Sequence, residues 1–261
     1  FEPQDSEDVD DGFYANLAEN MADRECSRVA SELMEEYDAN KASRAEWEDA
    51  YSNGLELLGF TYDERTQPFR GASGVTHPLL AEAATQFQAQ AFNELLPASG
   101  PVRTVVMGKE TRAKYDQSQR VQHFMNYYIT NVMEEYTPDM DQMLFYLPLA
   151  GSTFKKTYFD ETLARAVSKF VPAENLVVPY ETSDLETCPN ITQVIRMSLN
   201  DLRKRQISGF YLDIDVIPAQ KELSEVESEL EGITGMEPNQ IDYDCTILEC
   251  HVDLDLEGYE D

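Results

Sequence analysis

Between Pro78 and Pro97 the chain has no glycine, no proline and no basic residue. Leu79 to Leu96 is an unbroken run of good helix formers carrying only two charges, Glu82 and Glu94. Pro78 suits the first helical position, with Thr76 or His77 as the entry residue. Pro97 and Gly100-Pro101 act as stops. Leu80, Ala84, Phe87, Ala91 and Leu95 recur at helical spacing and predict an apolar stripe. Glu82, Gln86, Gln90 and Asn93 form an uncharged-to-acidic band beside it. So little charge does not suit a free surface helix. The stretch is expected to pack against its own chain or another copy, with Leu80, Phe87 and Phe92 as subunit-packing residues.

Helical spacing also predicts a helix over Phe13–Tyr37 behind an acidic arm, residues 1–12. A second helix starts at a capping box, Ser43-Arg-Ala-Glu46, and ends at Gly59. Its stripe is Trp47, Tyr51, Leu55 and Leu58, so the only tryptophan faces a core or a partner subunit. Val102 to Met107 reads as a short strand. A helix over Thr111–Tyr136 would be about 39 Å long, a strut buried along Val121, Met125, Tyr128, Val132 and Tyr136. Pro138 breaks it. Met140–Leu147 is a shorter helix, closed by Pro148–Gly151.

There the period changes to two. Ser152–Asp160 and Ala164–Val171 predict a hairpin, and Asn175–Val178 and Ile191–Leu199 two further strands. A helix to Ser208 is capped by Asn200 and stopped by Gly209. Ala219–Ile233 reads as an acidic amphipathic helix and Tyr243–Leu256 as a strand. The class is α+β, long helices followed by a small, mostly antiparallel sheet.

With 20 basic and 50 acidic residues the net charge is −30. Residues 1–60 carry 17 acids and 4 bases, and residues 211–261 carry 16 and 1, while the middle is near neutral. This divides the chain into an acidic N-terminal helical arm (1–60), a core of helices and then hairpin sheet (61–210), and an acidic helix and strand (211–261). Such a balance argues against a conventional DNA gripper, which needs a basic face. No apolar run approaches a membrane span. The chain starts at Phe1 and is still patterned at Asp261, which reads as a window of a longer protein. Cys26, Cys188, Cys245 and Cys250 follow no scaffold spacing and are expected as reduced thiols.

Catalytic, cofactor and metal motifs are weak. Gly71-Ala-Ser-Gly74 precedes a helix, but Gly-Val-Thr stands where a phosphate loop needs Gly-Lys-Ser/Thr. His77, His123 and His251 are scattered. On a strand, Cys250 and His251 point to opposite faces, which argues against zinc with Cys245. Asp253-Leu-Asp-Leu-Glu-Gly258 imitates the opening of a calcium loop, but its leucines suit a strand better. Arg203-Lys204-Arg205 is a basic patch on a helix. It reads as solvated surface or as an inter-subunit salt-bridge patch, and Lys155-Lys156 is a weaker one.

Three stretches carry a likeness: ERTQPFRGASGVTHPLLAEAATQFQAQAFNELLPASGPV, LAGSTFKKTYFD and VPAENLVVPY. From Tyr62 to Pro179 the chain resembles the N-terminal wing portion of a tailed-bacteriophage portal, the head–tail connector. The resemblance implies a non-enzymatic structural subunit without cofactors. It implies a twelve-membered ring at one capsid vertex of the virion, assembled in the host cytoplasm. The implied partners are copies of itself, the major capsid protein, terminase and head–tail adaptor proteins. Double-stranded DNA would pass through the ring without sequence-specific binding, and an acidic wall offers phosphates nowhere to stall. The alternatives are another structural or adaptor protein of the head–tail junction, or an acidic metal-dependent enzyme.

Overall fold

A computed structural model describes residues 21–58, 69–72, 77–160, 163–216, 225–234 and 245–254. The acidic arm, the entry residue Thr76, Gly59 and the ends of the two acidic C-terminal elements lie outside these residues. So does most of the calcium-like stretch.

Helix α1 (Asp23–Ser43) presents Cys26, Val29, Leu33 and Tyr37 on one half-buried line, and none of its residues is fully buried. It runs into α2 (Ala45–Leu58) through a single non-helical residue, Arg44. The expected capping box does not form. Ser43 Oγ instead donates to the Asn40 carbonyl at 2.7 Å, because the preceding helix continues through it. Tyr51, Leu55 and Leu58 of α2 are buried, as the spacing predicts.

Helix α3 (Leu79–Leu95) begins one residue after Pro78, which sits at its N-cap. Only Ala84 is fully buried on it. Leu80, Ala81, Ala91 and Phe92 are half-buried, whereas Leu79, Phe87 and Leu95 are exposed. The expected stripe is therefore split. The helix packs by its small-residue side on α5, and the Phe87 side is left outward.

No strand forms over residues 102–107. That segment lies extended along α4 (Arg112–Tyr127). Asn126 accepts from the Val102 N–H at 2.8 Å and donates to the Val102 carbonyl at 3.1 Å. Gln122 accepts from the Thr104 N–H at 3.2 Å. Helix side chains thus supply what a neighbouring strand would have supplied. Gly100 makes the approach possible. Its φ is +98°, and a Cβ there would lie 2.4 Å from Asn126 Cγ.

The long strut is also shorter than expected. After α4 comes a π-helical turn, Tyr128–Val132, and Met133 leaves the helical region. Helix α5 (Tyr136–Ala150) then takes both prolines inside its bounds. Pro138 falls in its first turn, where no intrahelical N–H bond is lost. Gly151, at φ +80°, closes the helix by donating to Leu147 O at 2.9 Å.

Strands β1 (Phe154–Asp160) and β2 (Arg165–Val171) form the expected antiparallel hairpin, with Phe154 opposite Val171 and Asp160 opposite Arg165. A separate three-stranded antiparallel sheet has the order β3 (Leu176–Val177), β4 (Asn190–Met197), β5 (Cys245–Val252). Lys156 bridges the two sheets, bonding Gln193 at 3.0 Å and pairing with Glu249. Helix α6 (Leu199–Ile207) is capped by Ser198, not Asn200: Ser198 Oγ accepts from the Asp201 N–H at 3.2 Å. Helix α7 (Glu225–Thr234) lays Val226 and Leu230 on α2. The main core is Tyr51, Leu55, Leu58, Ala150, Ala173 and Val226, so it draws on the N-terminal, central and C-terminal stretches together. The fold is α+β.

Candidate functional site

Three places in the described residues gather side chains with chemical or recognition potential: a cleft beside α5, the basic patch on α6, and the outer surface of α3 and α4.

The cleft has a volume of about 450 Å³ and is walled by Phe145, Tyr146, Phe170 and Pro172. Asp139, Asp141 and Glu174 supply carboxylates. Two of these already serve the fold. Asp139 accepts from the Phe170 N–H at 2.7 Å, and Asp141 accepts from Gln88 Nε2 at 2.7 Å. Desolvation raises the Glu174 pKa, although Arg44 and Arg196 oppose the shift. Its Oε2 is buried with no hydrogen-bond partner.

Around this cleft, the outer edge of β2 is finished by side chains. Tyr128 OH accepts from the Ala166 N–H at 2.9 Å, and Glu135 accepts from the Ser168 N–H at 3.1 Å. With Asp139 on Phe170, three alternate N–H groups of an edge strand are satisfied without another strand. Glu135 also pairs with Arg165 at 2.9 Å. That bond, first of all, holds its carboxyl down at about 2. Burial lowers the Lys155 ammonium, which lies 3.5 Å from the Tyr136 ring centroid.

The basic patch is engaged within its own chain. Arg203 pairs with Asp213, Lys204 with Asp201 at 3.0 Å, and the Arg205 guanidinium lies 5.6 Å from the Phe210 ring centroid. Trp47 is likewise tied inward. Its Nε1 donates to Ala150 O at 2.9 Å, and its ring stacks on Tyr51 at 5.3 Å. Leu80 packs on the main core and Phe92 is half-buried.

Sequence spacing did not find Arg44. It is buried, and its guanidinium donates to the carbonyls of Ala173, Glu174 and Leu176 and to Glu48. It clamps the turn of the VPAENLVVPY stretch onto the α1–α2 junction. No local signal marked it: Arg44 stands between two helices, inside the stretch read as a capping box.

The outer surface of α3 and α4 remains. Helix α4 turns a polar line, Ser118, Gln122 and Asn126, toward the rest of the chain. Its apolar side chains point away: Tyr115 is 59 % exposed, Phe124 60 % and Tyr127 59 %, and Val121 and Met125 are exposed too. Of the expected buried side, Val121 and Met125 are thus exposed, because the amide side chains are needed to bond the 102–104 segment, whereas Tyr128, Val132 and Tyr136 beyond them are half-buried. Val105 and Met107 of that segment are exposed, as are Leu79, Phe87 and Leu95 on α3. His77 and His123 are exposed, and His251 lies 2.9 Å from Glu249. None of the four cysteines is in a disulfide. Among the described residues no cluster of three metal-ligating side chains occurs, and no helix is long and apolar enough to cross a membrane. No protein-family model and no curated protein matches this chain.

Proposed function

We propose that the chain is a structural subunit of a phage portal, packing beside copies of itself in a ring at one capsid vertex. In this reading it catalyses nothing. It forms part of the conduit through which DNA is packaged and ejected, and of the platform on which terminase and adaptor proteins dock. The observation that carries the reading is the set of large apolar side chains on α3, α4 and residues 105–107 that the described residues leave exposed. Exposed apolar side chains gathered on one helix face are the kind of surface that marks association. The resemblance of residues 62–179 to portal wings names the assembly, and the acidic composition suits a wall along which phosphates do not bind.

The test is electron microscopy and mass photometry of the purified full-length protein. Closed rings are expected, and so is capture of terminase in a pull-down. A monodisperse monomer at high concentration would end the proposal. Rings that ignore terminase would instead favour another head–tail component.

A further inference from the structure

The surface just described also carries the wrong sign of charge for this protein. Arg103, Lys109, Arg112, Lys114 and Arg120 lie on α4 and its leading segment, against only Glu110 and Asp116. All five basic side chains are exposed, and among the described residues none forms an ion pair. A net-positive, aromatic face on a chain of net charge −30 calls for an acidic partner.

Such a partner surface exists on the same molecule, on different elements. Helix α1 has 21 residues and none is fully buried. Its outer side presents Glu35, Glu36 and Asp38 around Met34, which is 47 % exposed, and α2 continues the acidic surface with Glu46 and Asp49. None of these five acids is in an ion pair among the described residues. Helix α1 packs on α2 and β3, whereas α4 packs on its leading segment and the π-helical turn. The two surfaces therefore do not satisfy each other within one subunit.

We propose that copies associate head to tail, the basic apolar face of α4 and residues 103–109 of one copy seating on the acidic face of α1–α2 of the next. This rests on the ring-subunit reading above. Two different patches on each copy make the contact heterologous, and a heterologous contact whose rotation closes builds a ring. Phe124, Val121 and Tyr127 supply the apolar centre, opposite Met34. Arg112, Lys114 and Arg120 supply the charged rim, opposite Glu35, Glu36 and Asp38. Nucleic acid is the competing occupant of a basic aromatic face, but the net charge of the chain opposes its approach.

The experiment is a charge swap in the full-length protein. One variant carries R112E, K114E and R120E, the other E35K, E36K and D38K. Each alone is expected to keep its helical circular dichroism and to lose rings in mass photometry and negative-stain microscopy. A one-to-one mixture is expected to recover rings with an even number of subunits, because each reversed face then meets its complement. Should the triple α4 variant lose helix content, R120E alone is expected to lower ring yield at least tenfold. Rings from either triple variant alone, no recovery on mixing, or an unchanged yield from R120E each overturn the proposal. Duplex DNA binding that needs Arg112, Lys114 and Arg120, with ring formation unaffected, assigns the face to nucleic acid and also overturns it. If the wild type forms rings while the variants assemble normally, only the head-to-tail contact falls. If the wild type remains a monomer, the ring-subunit reading falls with it.

Discussion

Arg44 joins two stretches about 130 residues apart through one guanidinium, which bonds the carbonyls of Ala173, Glu174 and Leu176. Planar, five-donor geometry suits this role, and a lysine cannot reproduce it. Arg44→Ala leaves buried carbonyls and Glu48 without their donor. It is expected to lower the free energy of unfolding by about 3 kcal/mol, read from urea denaturation, and Arg44→Lys is expected to recover little of it. Glu135 acts in the opposite charge sense. Its folded-state pKa of about 2 lies below the ordinary 4.5, chiefly through the bond to Arg165. Its contribution is therefore fully present above pH 4.5 and is lost as pH falls toward 2. Glu135→Gln should reduce stability at pH 7 and flatten the acid limb of the stability–pH curve between those values. An acid limb identical to wild type would refute that role. Neither residue's task was legible locally, because each acts on backbone groups far along the chain.

Among the elements, the most instructive departure is residues 102–107. Val102-Arg-Thr-Val-Val-Met107 has the composition of a strand, and alternate residues, Val102 and Thr104, meet successive turns of α4. What decides against a strand is the partner: Asn126 and Gln122, on one face of a helix, take the ladder positions. Asn126→Ala is expected to remove both bonds to Val102 and to speed hydrogen exchange at Val102 and Thr104. The cost to global stability should be about 1–2 kcal/mol. Exchange at wild-type rates would mean the segment is held by something else. The same residue explains why the apolar side of α4 points outward: one face cannot both bond an extended chain and bury Val121 and Phe124. Caps shift for a related local reason. Ser43 lies within α1 and cannot cap α2, whereas Ser198 stands in extended backbone ahead of α6, the conformation a cap requires.

For the whole molecule, the two phenylalanines of α3 separate what the described fold covers from what it leaves outward. Phe92 is half-buried in the described chain and Phe87 is 41 % exposed. Phe92→Asp is expected to cost about 2 kcal/mol of stability, whereas Phe87→Asp should leave the unfolding midpoint within experimental error and reduce ring formation. Equal destabilisation by both would show that the outer face of α3 is part of the monomer's own core. Periodicity alone was enough to read the helices of α2, α3 and α6, the β1–β2 hairpin and the α+β class, because those follow from local spacing of apolar residues and from turn formers such as Gly151 and Gly209. It could not tell which side of α3 and α4 turns inward, since α3 packs by its small residues and α4 by a polar line, Ser118, Gln122 and Asn126, in place of its apolar one. Nor could it reveal two sheets in place of one, or the clamp at Arg44. Those outcomes depend on which distant backbone groups need a hydrogen-bond partner, and only the packed chain brings such groups within reach.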